Sequence, residues 1–473
     1  MPERPHLTDA KQKLLERMRR GGLKQVSAAA DDLKGLSRDI PAPLALAQER
    51  VWRLDQTAGK LAPLHNESIT IHRRGPFDRN ALERSIAEIV RRHEIWRTTF
   101  RVESGRPVQI IHPAPKTYTL PFDDLRALPE DQRNKRAIDL ATHDASKAFD
   151  LERGPLFRIR MITLSDDEHR LYLTAHQSIV DGITVFDVFP SELTTLYESF
   201  CLGKASPLPE LTTQYADFSN WQHRNLSGDV METQVKYWQK LLAGDLPPLQ
   251  WPNPAMRPAC QTYRGAMHSF TLPAELSQSL KEVGRGEGAT LFMVLLASLV
   301  KLLHRYTGQE DIIVGTLAPS GRKRSEFQHL LGYFINPVAL RANLSGNPPF
   351  VSLLHQMRNV TLGAISHDDV PLEVIVEKLP ARSDPSRHPV FTVALSVTPD
   401  VPPLPGGWSM TYMDVESGGA RWDLYLEMSD RTEGLLGRAQ YNPDLFTPAA
   451  ISQTVEDFRV TLEQIASSRD SHS

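Results

Sequence analysis

The segment AHQSIVDG, residues 175–182, carries side chains that could take part in acyl transfer. A histidine followed four residues later by Asp181 and Gly182 would form an acyl-transfer signature, but here that histidine position holds Gln177 and the histidine stands one residue earlier, at His176. Attack on a thioester needs a base or an orienting group beside the nucleophile, and donors for the developing oxyanion. Without further motifs, an ordinary loop after a strand explains the segment equally.

The elements around this segment would place residues 176 and 177 on opposite sides of a strand. The stretch HRLYLTAHQ, residues 169–177, alternates apolar and polar residues as a half-buried strand does. Because adjacent strand residues point to opposite faces, His176 cannot simply replace a histidine at 177, and we predict a structural role for it. A helical stretch follows to about Phe200, and Pro190 is expected to kink or restart it.

The chain of 473 residues exceeds what one hydrophobic core usually supports, which predicts two domains. We divide it into an N-terminal helix with a linker or docking arm (1–39), a first half (40–225), a second half (226–465) and a tail (466–473). Helices and strands alternate in both halves, so the predicted fold class is α/β with a cleft between the halves. Asp78 is a good helix N-cap, and DIIVGTLA (311–318) is a predicted buried strand.

Composition excludes several classes of function. A net charge of −3 argues against a protein that binds nucleic acid by neutralising phosphates. The two cysteines, Cys201 and Cys260, are too few for a disulfide scaffold or a cysteine zinc site, and they fit a reducing cytoplasm. The most apolar run, LFMVLLASLV (291–300), is too short to cross a bilayer. We therefore predict no membrane partner. The 16 histidines show no ligand spacing, so we also predict no metal.

Six further motifs accompany HQSIVDG in a fixed order. They are ALAQERVWRL (45–54), RRHEIWRTTF (91–100), YADFSNW (215–221), LGYFINPVALR (331–341), HDDVPLE (367–373) and DPSRHPVF (384–391). This ordered set resembles the core motifs of nonribosomal peptide synthetase condensation domains over about residues 40–465. Seven spaced motifs in one order form a highly specific signal.

The resemblance implies a pseudo-dimer of two chloramphenicol-acetyltransferase-like halves, which form a V around a central tunnel. It implies two carrier-protein partners, a donor and an acceptor, each presenting a substrate on a 4'-phosphopantetheine arm, with neighbouring synthetase domains alongside. The acceptor amine attacks the donor thioester, and the domain, expected to be monomeric, binds no cofactor of its own.

The resemblance also assigns roles to individual residues. Asp181 matches an aspartate thought to be structural, and the backbone N–H of Gly182 is a candidate to orient substrate. Arg322 resembles the arginine that pairs with this aspartate, with Arg264 as second choice, although an ordinary surface charge explains either arginine. Asn336 is expected near the tunnel, or else as a satisfied turn asparagine.

Tyr333 and Ser178 are expected to line the tunnel with Asn336. Arg97 and Phe100 are expected to serve packing rather than chemistry.

Gln177 stands where the family has its second histidine, the residue to which the catalytic work is assigned. Glutamine donates and accepts hydrogen bonds but cannot hold a proton at useful pH. The domain is therefore a natural variant that works by positioning, a silent domain that binds partners, or a protein in which histidine was replaced to trap a complex. Pro337 stands where the family usually has threonine, which favours a natural divergent subclass. We expect such a domain in a hybrid synthetase that combines polyketide and peptide modules.

Three functions are compatible with these residues. The first is a condensation domain that makes an amide, or an ester, between carrier-bound substrates. The second is a non-enzymatic module that recruits a carrier protein or tailoring enzyme, and the third is a free-standing acyltransferase that uses CoA thioesters.

Overall fold

The computed structural model describes residues 40–58, 63–251, 256–379, 384–398, 403–412 and 414–467. The predicted N-terminal helix and linker, and residues 468–473 of the predicted tail, lie outside the described residues. Residues 466 and 467 belong to the last helix.

The N-terminal half contains seven strands and five helices among its described residues. The strands are β1 Ala42–Pro43, β2 Asn66–Arg74, β3 Thr98–Glu103, β4 Arg106–Ile111, β5 Phe122–Asp124, β6 Phe157–Thr163 and β7 Glu168–His176. The helices are α1 Leu46–Ala58, α2 Arg79–Arg92, α3 Glu130–Ala145, α4 Phe189–Cys201 and α5 Tyr215–Asn225.

The C-terminal half adds seven strands and six helices among its described residues. The strands are β8 Ala266–Pro273, β9 Asp311–Ala318, β10 Asn336–Asn343, β11 Val393–Thr398, β12 Trp408–Tyr412, β13 Leu424–Arg431 and β14 Gly434–Tyr441. The helices are α6 Gly228–Leu241, α7 Ala274–Gly286, α8 Leu291–Thr307, α9 Phe350–Ile365, α10 Leu372–Val376 and α11 Pro448–Ser467.

Each half is built on its own sheet. The N-terminal sheet has the order β12-β2-β7-β6-β5, and a small sheet β1-β4-β3 lies beside it. The C-terminal sheet has the order β10-β9-β11-β13-β14-β8. Both large sheets mix parallel and antiparallel pairs, with helices packed on them. The predicted α/β fold class is confirmed.

Local sequence signals account for helices α2 and α8. The Asp78 carboxylate accepts a hydrogen bond from the Ala81 N–H at 3.0 Å and caps α2, as predicted. Thr290 caps α8 in the same way, and Gly308 ends it with φ of +68°, a conformation that glycine adopts without strain. The apolar residues of α8 are almost all buried, which explains why its sequence reads as hydrophobic on every side.

Strand β7 is buried on both faces, and this burial fixes its register against its neighbours. Leu171 and Leu173 pack in the main core of the N-terminal half, and Tyr172 packs on the other face with Ala137 and Ala141 of α3. Because the side-chain period of a strand is two, a slip of one residue would exchange these two faces. The register that carries His176 to the strand end is therefore strongly specified.

The two halves are interlocked. Strand β12 lies in the C-terminal part of the sequence but pairs with β2 in the N-terminal sheet, and Trp408 packs in that half's core. Phe327 and Phe334, which lie between β9 and β10, belong to the same core. The division of the chain in sequence and the division in space therefore differ in these two segments.

Among the described residues, no single helix has both the length and the apolar character needed to cross a membrane. One bent pair, α7 with α8 at 99°, reaches that length and composition only when the two helices are taken together.

Candidate active site

Gln177 leaves strand β7 at the boundary between the two halves. Its backbone N–H donates to the carbonyl of His65 at 2.7 Å, because β2 and β7 are paired there with Asn66 opposite His176. A short 3-10 helix, Gln177–Ile179, turns the chain away from the sheet. The strand pairing thus determines where the side chain of residue 177 points.

A cleft between the halves receives that side chain. It encloses about 910 Å³ when its open mouth is included. Its walls come from both halves, and they include Leu64, Glu67, Gln177, Gly182, Phe186, Gly265, Leu317, Gly419, Arg421, Tyr425, Glu427 and Arg438.

The amide of Gln177 is buried, with 2 % of the residue exposed. Its Nε2 donates to Glu67 Oε1 at 3.4 Å, and its Oε1 has no hydrogen-bond partner among the residues that the structure describes. A carboxylate only accepts, so the amide nitrogen, and not the amide oxygen, is the atom bonded to Glu67. Gln177 therefore presents one unused acceptor to its surroundings.

Glu67 stands next to Gln177 in the wall of the cleft. Its Oε1 lies 3.2 Å from Nη2 of Arg421, and 31 % of the Glu67 side chain is exposed. Burial raises the pKa of Glu67 above its ordinary value, while the charges of Arg421 and Arg438 oppose the shift. This carboxylate holds a proton more readily than one in free solution.

The carboxylate of Asp181, a residue of the cleft wall, is fully engaged by hydrogen bonds. Arg322 donates to both of its oxygens, from Nη2 at 2.9 Å and from Nε at 3.0 Å. The backbone N–H groups of Thr184 and Phe334 donate to it as well, at 2.7 and 3.2 Å. A buried bidentate pair with two further donors fixes the loop, and it leaves this aspartate no free lone pair for proton transfer.

Arg322 ties the loop of the second half to the first half. Its Nη1 donates to the carbonyl groups of Phe327, Gln328 and Leu330, and its guanidinium lies 4.4 Å from the ring centre of Phe334. Arg322 is 6 % exposed, which excludes the alternative of a surface charge.

The alternative prediction, that Arg264 pairs with Asp181, is wrong. Its side chain is 66 % exposed and pairs with Asp444 at 2.6 Å. A bridge between Arg264 and Gly419 holds its backbone at the cleft rim, so its side chain cannot reach Asp181.

His176 points away from the cleft, as its predicted structural role requires. Its Nδ1 accepts from the backbone N–H of Ser178 at 3.3 Å and lies 2.7 Å from the Ser178 hydroxyl oxygen. Since Nδ1 is an acceptor, the ring proton belongs on Nε2, which lies 3.5 Å from Asp55 Oδ2. His176 and Ser178 are not among the described residues that line the cleft.

Asp55 connects His176 to His65. His65 Nδ1 lies 3.0 Å from Asp55 Oδ1, and burial lowers the pKa of His65 to about 4. In the described part of the chain these three side chains are close enough to share one ion. His65 is hydrogen-bonded to Asp55, and Nε2 of His176 approaches the other Asp55 oxygen without forming a hydrogen bond, so we assign the three as a polar cluster that supports the strand end.

Asn336, Tyr333 and Ser178 are not among the described residues that line this cleft, but Asn336 and Tyr333 line a smaller cavity, so their predicted place in a tunnel stays a prediction. Asn336 Nδ2 donates to the carbonyls of Asp368 and Val370, both at 2.8 Å, and its Oδ1 accepts from the Leu372 N–H at 3.3 Å. Both polar atoms of the Asn336 amide are hydrogen-bonded, as the alternative interpretation of a satisfied turn asparagine expects. Tyr333 is 1 % exposed and packs in the N-terminal core.

Gly182 lies exposed at the start of the helical segment that leads into α4. A Cβ atom added to it would meet only the ring of Phe186, at an ordinary 3.6 Å, and its φ is not in the left-handed region. The fold itself thus has room for a side chain here. What a side chain would obstruct is the cleft.

Sequence reasoning missed Glu67, Arg421, Asp55 and His65. A glutamate in the otherwise Ile- and Thr-rich stretch NESITI was an available signal, since charged residues are depleted in buried strands. The pairing of β2 with β7 could not be predicted, because nothing local in the sequence indicates it.

The family model of the condensation domain matches residues 41–472. A polypeptide of the linear gramicidin synthase of Brevibacillus parabrevis is 41 % identical over 424 residues, which are 88 % of this chain and 5 % of that protein. Phosphinothricin tripeptide synthetase PhsC of Streptomyces viridochromogenes is 34 % identical over 90 % of this chain and 39 % of its own length. The chain thus spans a small part of the synthetases that it matches.

Solved structures share the fold. The X-domain from teicoplanin biosynthesis is 28 % identical, with a TM-score of 0.79 over 92 % of this chain and 97 % of that one. The first condensation domain of the calcium-dependent antibiotic synthetase is 21 % identical, with a TM-score of 0.77 over 90 % of this chain and 97 % of that one. The two-halved architecture is consistent with the V-shaped pseudo-dimer that the sequence predicted. The chain belongs to the condensation-domain family of nonribosomal peptide synthetases.

Proposed function

We propose that this domain forms an amide bond between two carrier-bound substrates. The acyl group of a donor thioester is transferred to the amine of an acceptor, and both ride on 4'-phosphopantetheine arms. The observation that carries the proposal is the side chain of Gln177, which belongs to the lining of the cleft between the halves and has a buried acceptor oxygen without a partner among the described residues.

Positioning is the proposed role of Gln177. Its amide oxygen accepts a hydrogen bond from the attacking amine and holds it against the thioester carbon. It takes no proton, because an amide has no useful basicity at neutral pH. An amine attacks a thioester more readily than water attacks an amide, so orientation alone supplies a large part of the rate.

Gly182 and the Asp181–Arg322 pair have separate roles in this proposal. Gly182 lines the cleft as the first residue of a helical segment, and its backbone N–H is proposed to stabilise the developing oxyanion. Asp181 and Arg322 hold that turn in place and do not meet the substrate.

A second groove between the halves suits the other carrier arm. It is lined from the first half by residues of α1, among them Arg50, and from the second by Tyr263 and residues of α10. Arg50 and Glu373 form an ion pair across it at 2.6 Å. Donor and acceptor carrier proteins, with the neighbouring synthetase domains, are the proposed partners, and the domain acts as a monomer without a bound cofactor.

The proposal is tested by transfer between two loaded carriers. A donor carrier bears an acyl chain and an acceptor carrier an amino acid, and intact-protein mass spectrometry follows the mass gained by the acceptor. The chain is compared with Gln177→Ala and Gln177→His. Transfer that falls in the alanine variant supports a positioning glutamine. Transfer by the histidine variant alone identifies a silent domain that one substitution reactivates.

A partner-binding module is the second candidate, and one comparison favours it. The X-domain of teicoplanin biosynthesis has also been solved as a complex with OxyB, at 27 % identity and a TM-score of 0.79 to this chain. If none of the three proteins transfers the acyl group but carrier protein still binds, this function replaces the first. The same assay with free acyl-CoA and no carrier protein tests the third function, a CoA-dependent acyltransferase.

A further inference from the structure

Two neighbouring side chains of the cleft wall, Gln177 and Glu67, each carry a hydrogen-bond acceptor. Both hydrogen bonds of the Glu67 carboxylate, from Gln177 and from Arg421, end on Oε1. Its Oε2 therefore has no partner among the described residues, and neither has Oε1 of Gln177. The amide orientation is set by Glu67 itself, since a carboxylate can only accept.

The chemistry of this pair selects its occupant. A buried amide oxygen without a donor loses the hydrogen bond that it had to water, at a cost that a bound donor removes. A group with two N–H donors on one nitrogen satisfies the amide oxygen and the carboxylate together. A primary amine is such a group, and a hydroxyl, with one proton, is not.

The charged groups that face Glu67 are few and nearly balanced. Arg421 and Arg438 bring positive charge to Glu67, Glu427 pairs with Arg438 at 2.6 Å, and His176 acts on Glu67 electrostatically from outside the cleft lining. Burial outweighs the two arginines, so the pKa of Glu67 is raised. A carboxylate in this state is a better proton acceptor than an ordinary glutamate.

We propose that Glu67 and Gln177 together bind the acceptor amine, and that Glu67 accepts the proton which the amine loses. The inference rests on the proposed amide-forming function and adds a catalytic residue to it. Gln177 orients the amine through its amide oxygen, and Glu67 supplies the base that residue 177 cannot.

The proposed step is balanced without any further reactant. The nitrogen lone pair of the neutral amine attacks the thioester carbonyl carbon, the C–N bond forms, and the C–S bond breaks. One N–H proton passes to the Glu67 carboxylate and from there to the departing pantetheine thiolate. The products are an amide and a free thiol, and Glu67 ends ionised, as it began.

Binding of paired probes tests the amine site without turnover. Alanyl, leucyl and phenylalanyl aminopantetheine carry an amide where the substrate has a thioester, and each is matched with the acyl compound that lacks the α-amine. Titration calorimetry with the full chain is expected to show at least about tenfold tighter binding of the amine in one or more pairs. Glu67→Gln is expected to abolish this preference while binding of the amine-free probe stays unchanged.

Glu287→Gln is the matched control. It removes a carboxylate with the same chemistry and similar exposure, 34 %, whose partner is His355 at 2.8 Å, away from the cleft. This variant keeps the amine preference of the unsubstituted chain. Equal binding within all three pairs, or a preference that survives in Glu67→Gln, overturns the inference.

A double-mutant cycle on transfer separates a base from a structural residue. Glu67→Gln is expected to slow transfer by about 10²-fold or more in the unsubstituted chain, but by less than about tenfold beside Gln177→His, where the histidine can take the proton. An equal loss in both backgrounds contradicts proton transfer by Glu67. If no protein transfers while the probes show the amine preference, the proposed function fails and the amine site stands.

Discussion

At the scale of single residues, the ion pair of Asp181 and Arg322 holds the turn that carries Gly182. Arg322→Met leaves a carboxylate buried and unpaired, so we expect the free energy of unfolding to fall by about 3–5 kcal/mol. Urea unfolding measures the loss. Arg264→Met is the control, because its exposed pair with Asp444 is worth about 0–1 kcal/mol. Equal losses in the two variants contradict the assigned role of Arg322.

His65 makes the stability of the strand end depend on pH. Its folded pKa of about 4 lies below the ordinary 6.5, so the unfolded chain takes up this proton first as the pH falls. The contribution of His65 to the free energy of unfolding is therefore complete above pH 6.5. It falls by up to about 3 kcal/mol between pH 6.5 and 4.

We expect His65→Asn to flatten the pH dependence of the urea midpoint over this range. The other buried histidines remain in the variant and serve as the internal reference. A slope that matches the unsubstituted chain between pH 6.5 and 4 is the result that speaks against this assignment.

The individual site residues divide into those that local sequence predicts and those that it does not. His176 and Asp181 each have a local partner, Ser178 and Thr184 respectively, and the pairing of Asp181 with Arg322 was predicted from the family resemblance. Glu67 meets Gln177 only through the register of β2 on β7, 110 positions apart in sequence. Asn336 and Tyr333 line a smaller cavity instead of this cleft, because a motif gives proximity to a site but not the direction of a side chain.

At the scale of elements, strand β12 couples the two halves. Trp408 is buried in the N-terminal core, and its ring lies 5.4 Å from the Arg73 guanidinium of β2. Trp408→Ala is expected to cost about 3–5 kcal/mol, as for a large aromatic side chain removed from a core. Hydrogen exchange should show lost protection in β2 rather than only near residue 408.

Exchange that increases only in the C-terminal half would place Trp408 outside the N-terminal core. Met410→Leu is a control at the same strand, because a swap that conserves volume leaves packing nearly unchanged.

Helices α2 and α8 were predictable because their caps and apolar faces are local features. The pairing of strand β12 was not, since its five residues alternate as a strand does but nothing local indicates their partner, which lies more than 330 residues earlier. Its position in the sheet depends on the packing of the whole chain.

At the scale of the whole molecule, the cleft exists because the halves are interlocked. Residues 327–334 and strand β12 cross from the second half into the first, and the Arg50–Glu373 pair adds a contact between them. Length and alternating elements predicted the two halves. The half into which these segments pack could not be predicted, because it is determined only by the assembled core.

The central claim is that Gln177 works in acyl transfer by positioning the amine. The most direct test is the initial rate of transfer between two loaded carriers, for the unsubstituted chain and for Gln177→Ala, read by intact-protein mass spectrometry. We predict measurable transfer by the unsubstituted chain and a rate at least about tenfold lower in the alanine variant. Equal rates in the two proteins, or transfer that appears only in Gln177→His, would contradict the claim.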